Sequence, residues 1–141
     1  MKMTLEQTRQ YLDETAEVLM SFPDRRDMLG ALVDMGKELP EFPEELRTGE
    51  NLVRGCASEV WVVIDTSDET AVRIFATAEA YIVKGFVKIL LDALSGLSAQ
   101  EIHESQQIIE DFVAKTGLSQ SMLATRANAF GNVYQAILDR V

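Results

Sequence analysis

Apolar residues recur at helical spacing near both ends of the chain and at alternating or consecutive positions in its middle. Leu5, Leu12, Ala16 and Leu19 give the first stretch one apolar side, which predicts a helix to about Met20. Thr4-Leu5-Glu6-Gln7 has the form of a capping box, the Thr4 oxygen taking an orphan N–H while Gln7 reaches back. Phe22-Pro23-Asp24 ends this helix, and Asp24 caps a second one to about Glu38, with Met28, Leu29, Leu32, Val33 and Met35 inward. Leu39-Pro40 stops it, because proline cannot continue the hydrogen-bond ladder. Residues 40–50 form a polar connector.

The period then changes. Asn51-Leu52-Val53-Arg54 is short and suits an extended segment, and Gly55-Cys56-Ala57 is a turn of small residues. Residues 58–64 are β-branched and aromatic enough for a buried strand, and 70–77 alternate with Val72, Ile74 and Ala76 on one face. The connection over 65–69 is too short for a crossover, so these strands pair antiparallel. Helical spacing returns from Ala78, with Ile82, Val83, Phe86, Ile89, Leu90 and Leu94 in one stripe and Gly96 as the stop. Gly85 inside that helix costs about 1 kcal/mol relative to Ala, which points to a close approach of helix and sheet. Ser98-Ala99-Gln100-Glu101 is a second capping box; it opens a short helix to about His103, and another follows from Gln106 to Thr116, ended by Gly117. A last helix starts at Ser121 or Thr125 and runs through Val133, Ile137 and Leu138. Strands grouped between helices predict an α+β fold: a small antiparallel sheet of about three strands packed against several α-helices. The length of 141 residues suits a single domain over 1–141.

Composition narrows the function. Thirteen Lys+Arg against 23 Asp+Glu give a net charge of −10. That speaks against nucleic acid, whose binding rests on cationic phosphate contacts, and against an anionic membrane surface. One cysteine, Cys56, forms no intramolecular disulfide, and with one histidine, His103, it falls short of a Cys/His zinc set. No metal site is expected. The apolar runs are too short to span a bilayer, and Met1-Lys2-Met3-Thr4-Leu5-Glu6 has no signal-peptide core, so a cytoplasmic location is expected.

Cys56 is the strong nucleophile candidate. Two readings stand side by side. A free cysteine is commonly a small buried hydrophobe. This one, however, follows Gly55 between two extended segments, and Arg54 two residues away favours the reactive thiolate. A Cys–His pair needs a base close to the sulfur. His103 sits on the polar side of a short helix between Glu101 and Glu104, where it reads as solvated. Sulfur transfer asks for less, since a thiolate attacking an activated sulfur needs no dedicated base on the acceptor.

The run Asn51-Leu52-Val53-Arg54-Gly55-Cys56-Ala57-Ser58-Glu59-Val60-Trp61 resembles the N-x-V-x-G-C-x-S-x-V-W signature of the SufE family, sulfur acceptors that serve cysteine desulfurases in iron–sulfur cluster assembly. Gly36-Lys37-Glu38-Leu39-Pro40, Ala80-Tyr81-Ile82-Val83-Lys84-Gly85 and Leu123-Ala124-Thr125-Arg126-Ala127-Asn128 resemble further family segments in the same order. Three stretches depart from it. The third helix opens on Ala76-Thr77-Ala78-Glu79-Ala80 without the family's Gly and capping Ser. The second lacks its tryptophan at Asp24-Arg25-Arg26, and Arg126-Ala127-Asn128-Ala129-Phe130 replaces R-x-N-G-L.

The resemblance implies the SufE/IscU-like fold, with Cys56 as persulfide acceptor. The donor is a SufS-like cysteine desulfurase that carries the pyridoxal phosphate, so the chain needs no cofactor of its own. The sulfur passes on to an iron–sulfur scaffold or another acceptor. The IscU-type scaffolds hold clusters through several cysteines, so one cysteine implies carrier and not scaffold. Arg126 matches the family's arginine near the acceptor loop, with steadying the persulfide, docking the partner or a plain surface salt bridge as its open roles. Arg54, Gly55, Ser58 and Asn128 are the remaining loop or docking candidates. Ser58 either bonds the loop backbone or faces solvent. The chain is thus expected to be an accessory sulfur-transfer protein and not a free-standing enzyme. A non-catalytic adaptor that regulates a desulfurase by binding alone is the alternative.

Overall fold

The structure, a computed structural model, describes residues 2–54, 58–118 and 129–141. Helix α1 spans Leu5–Met20 and begins with the expected reciprocal capping box between Thr4 and Gln7. Its apolar stripe buries Leu12, Ala16 and Leu19. Helix α2 spans Arg25–Gly36, and the Asp24 carboxylate accepts from the Arg26 amide at 2.7 Å. Met28 and Leu32 are its buried apolar side chains, with Leu29 and Met35 partly buried against the core. Val33, expected inward, lines a shallow outer hollow with Phe22. A single 3-10 turn, Glu44–Leu46, interrupts the connector.

Strands β1 (Val60–Asp65) and β2 (Arg73–Ala78) pair antiparallel, from Val60 opposite Ala78 to Asp65 opposite Arg73. The expected third strand is reduced to one bridge between Leu52 and Trp61. Two hydrogen bonds frame it, Val53 N–H to Val60 C=O at 2.8 Å and Val62 N–H to Asn51 C=O at 2.9 Å. The segment is extended as the sequence suggests, but its pairing with β1 covers only these few residues.

Helix α3 (Tyr81–Leu94) is the central element. It buries Val83, Phe86, Ile89, Leu90 and Leu94, and Phe86 meets Phe130 edge-to-face at 5.7 Å between ring centroids. A Cβ on Gly85 would strike the Leu32 carbonyl oxygen and lie 2.9 Å from its carbon. A Cβ on Gly36 would lie 2.7 Å from the Lys84 Cβ. The close approach marked by Gly85 is therefore to α2, and not to the sheet.

Gly96 takes φ 101°, and its N–H and the Leu97 C=O bond Val72 at 2.7 and 2.8 Å. This ties the end of α3 to the approach to β2. Helix α4 (Ala99–Glu104) carries the second capping box, between Ser98 and Glu101. Helix α5 (Gln106–Thr116) ends on Gly117 in the left-handed region. Helix α6 (Ala129–Arg140) buries Phe130, Val133 and Ile137 against α3 and β1. The start expected at Ser121 or Thr125 lies outside the described residues. No described helix is long and apolar enough to cross a membrane.

Candidate functional site

Of the residues singled out from the sequence, Gly55, Cys56, Arg126 and Asn128 lie outside the described residues. Arg54 and Ser58 are described, and they flank residues 55–57 in the chain. The described chain on both sides of 55–57 is held by burial and hydrogen bonds. Upstream, Val53 is buried and bonded to Val60, while the Asn51 side-chain amide donates to the Leu46 carbonyl at 2.9 Å. Downstream, the Ser58 Oγ accepts from the Ala80 amide at 3.4 Å, and the Glu79 amide donates to the Glu59 carbonyl at 3.0 Å. The signature residues Asn51, Val53, Ser58 and Val60 thus fasten the ends of one short connection to β1 and to the start of α3.

Ala80 is the N-cap of α3 and offers no side-chain cap. Ser58 takes up the Ala80 N–H from across the sheet, so the residue beside the turn also supports the helix. The Ser58 hydroxyl thus meets the backbone at the start of α3, while a bond to the loop backbone at 55–57 lies outside the described residues.

Arg47 is a residue that sequence reasoning passed over. Its guanidinium lies over the Trp61 ring at 4.9 Å from the centroid. Its Nη1 pairs with Glu79 at 2.7 Å. Nε is buried and lies 3.4 Å from a Glu44 carboxylate oxygen, an ion-pair distance without hydrogen-bond alignment. Arg47 therefore joins the connector, β1 and the approach to α3. Glu44, in the polar connector, is drawn into this contact. No sequence motif announces it, because its partners are 14 and 32 residues away.

A cleft of about 420 Å³ opens between residues 49–54 and the outer face of α6, lined among others by Glu50, Val53, Arg54, Gln135, Asp139 and Arg140. Arg140 donates from Nη1 to the Ala136 carbonyl at 3.1 Å and from Nη2 to the Leu52 carbonyl at 3.5 Å. It thereby ties the end of α6 to the bridge segment. His103 is exposed on α4, with Nε2 3.2 Å from the Val141 carbonyl oxygen, as expected of a solvated helix residue. Among the described residues no group of three or more His, Cys, Asp or Glu is arranged to hold a metal ion.

Comparison with known proteins follows the same lines. The SufE family model, described as an Fe-S metabolism associated domain, matches residues 13–141. An uncharacterized SufE-like protein of Rhizobium etli is 34% identical over 129 residues, covering 89% of this chain and 86% of that one. The sulfur acceptor protein CsdE of Escherichia coli is 27% identical over 112 residues, covering 79% and 75%. A solution structure of a hypothetical protein from Thermus thermophilus superposes with a TM-score of 0.70 over 92% of each chain at 20% identity, a likeness of fold.

Proposed function

Because the chain belongs to the SufE family, we propose that it is a sulfur-acceptor protein and that Cys56 is the acceptor. The observation that carries this is the intact signature around the chain's one cysteine, with Asn51, Val53, Ser58 and Val60 anchoring both sides of it. The donor is a cysteine desulfurase of the SufS type, which supplies the pyridoxal phosphate and presents sulfur as a persulfide. The Cys56 thiolate attacks the outer sulfur, the donor's S–S bond breaks, and the donor cysteine leaves as thiolate. Cys56 then carries the persulfide. The transfer is redox-neutral and needs neither a metal nor a cofactor in this chain.

Arg54 places a positive charge two residues from Cys56 and favours the thiolate over the thiol. Gly55 gives the turn its backbone freedom. Arg126 and Asn128 belong to the docking surface or the persulfide's surroundings, on the strength of their match to the family segment. The outgoing sulfur reaches an iron–sulfur scaffold or another acceptor, and the donor's sulfide release rises because its persulfide is cleared. The protein works as an accessory of the desulfurase, in the cytoplasm.

The test is intact mass spectrometry after incubation with a cysteine desulfurase, pyridoxal phosphate and free cysteine, without reductant. A reductant-labile gain of about one sulfur atom (roughly 32 Da), absent from Cys56→Ser, is the expected result. A stable complex that stimulates the desulfurase while Cys56 gains no sulfur would make the chain an adaptor acting by binding alone.

A further inference from the structure

The cleft beside the bridge segment has a charge pattern that the fold does not use up. Among the described residues, Arg54 is exposed and makes no hydrogen bond or ion pair, and Arg140 bonds only neutral carbonyl oxygens. In a chain of net charge −10 with 23 acidic residues, two guanidiniums without a described carboxylate partner in one cleft stand out. Opposite signs line the same space: Glu50 is unpaired among the described residues, and Asp139 accepts only from the Gln135 amide at 2.8 Å. Guanidinium groups present planar donor forks to a carboxylate, and a carboxylate receives an ammonium. About 420 Å³ sits in the lower part of the roughly 300–1,000 Å³ range of small-molecule sites. Arg54 lines the cleft and precedes Cys56 by two residues, a reach of at most about 7 Å of chain.

We infer that this cleft binds a small zwitterionic thiol of the amino-acid type, its carboxylate on Arg54 and Arg140 and its ammonium toward Glu50 and Asp139, as an outlet for the sulfur on Cys56. The inference rests on the sulfur-acceptor reading. The bound thiol, as thiolate, attacks the outer sulfur of the Cys56 persulfide. The S–S bond breaks, its electron pair stays on the Cys56 sulfur, and the small molecule leaves as a persulfide. One S–S bond forms as one breaks, so no oxidant or reductant enters. The two arginines also offset the protein's overall repulsion of an approaching anion.

Two measurements test this. In the first, the unloaded protein is titrated with S-methylcysteine and with S-methylcysteamine, which lacks the carboxylate, and amide shifts are followed by NMR. Saturable shifts over 49–54 and 132–140 with S-methylcysteine alone are expected, weakened about tenfold in Arg54→Gln. Equal shifts with both compounds, or none, overturn the site. In the second, persulfide-loaded protein is mixed with cysteine or with cysteamine. Cysteine is expected to show saturation and about a tenfold advantage in kcat/KM, lost in Arg54→Gln. The ratio between the two thiols cancels any effect of Arg54 on Cys56 itself. Linear, equal rates overturn the outlet, and so does protection of the cleft amides only by a desulfurase, which would assign this surface to protein docking. The titration does not depend on sulfur loading, so loss of the acceptor reading and loss of the cleft site give different results.

Discussion

Arg47 holds together three stretches of chain that are distant in sequence or separate in the fold. It lies over Trp61, pairs with Glu79 and lies close to Glu44. Both carboxylates are substantially exposed, so the ion pairs contribute little, and the contact with the indole ring is the larger share. Arg47→Met keeps the aliphatic stem and removes the charge, and urea unfolding should show a loss of about 1 kcal/mol. Cys56→Ser should leave the unfolding free energy in urea within about 0.5 kcal/mol of wild type. These residues were unequally legible. Cys56 is marked by its motif, whereas Arg47 finds its partners only once the connector folds back over β1.

At the scale of elements, the caps are short-range chemistry. Thr4 and Ser98 each accept from the backbone three residues on, at 3.1 and 3.0 Å, while Gln7 and Glu101 return the bond. Ser98→Ala should cost about 1 kcal/mol by thermal unfolding. The crossing of α2 and α3 is long-range. Gly85→Ala would press a methyl group into the Leu32 backbone, which cannot swing aside as a side chain can. A loss of about 1–3 kcal/mol is expected, although Ala is the better helix former. A stability equal to or above wild type in denaturant titration would show that the two helices are not packed this closely.

For the whole molecule, the two limbs of its pH dependence have separate origins. The Tyr11 hydroxyl is held well above its ordinary range, first by burial and then by the Asp92 carboxylate, to which it donates at 3.3 Å. Burial raises Tyr134 as well, against the lowering effect of its hydrogen bond with Ser105. The folded protein keeps these protons where the unfolded chain loses them. Stability from this source is complete below pH 10.0, the unfolded value, and falls as pH rises above it. Tyr11→Phe should make that alkaline decline shallower in urea titrations at stepped pH. On the acid side, Glu101 is lowered first by its hydrogen bond from Lys2, Asp65 by the Ser67 amide and Asp68 by the Thr70 hydroxyl. Their contribution is present above the ordinary carboxylate values of 4.5 and 3.8 and is lost as pH falls through the lowered ones. Asp68 is exposed and Asp65 and Glu101 are only partly buried, so the acid limb should be gentle and flatten further in salt.

The amino-acid sequence by itself determined what depends on neighbours three or four residues away. Both capping boxes, the Asp24 cap, the stop at Gly117, the alternating face of β2 and the apolar stripe of α3 follow from side-chain period and backbone chemistry. The α+β order and the single thiol in its signature are likewise one-dimensional properties of the chain. Tertiary structure decided what meets what. A helical period says which side is apolar but not which element covers it, so Gly85 could be read as a close approach while its partner, α2, could not. Alternation says that 51–54 is extended, but how far it pairs with β1 depends on where the connector arrives, and the result is one bridge. The contacts of Arg47 with Trp61 and Glu79, the bond between Ser58 and Ala80, and the charged cleft shared by residues 49–54 and α6 join positions up to 88 residues apart. Such contacts leave no periodic trace, because their energy is gained only after the backbone has closed the loops between them.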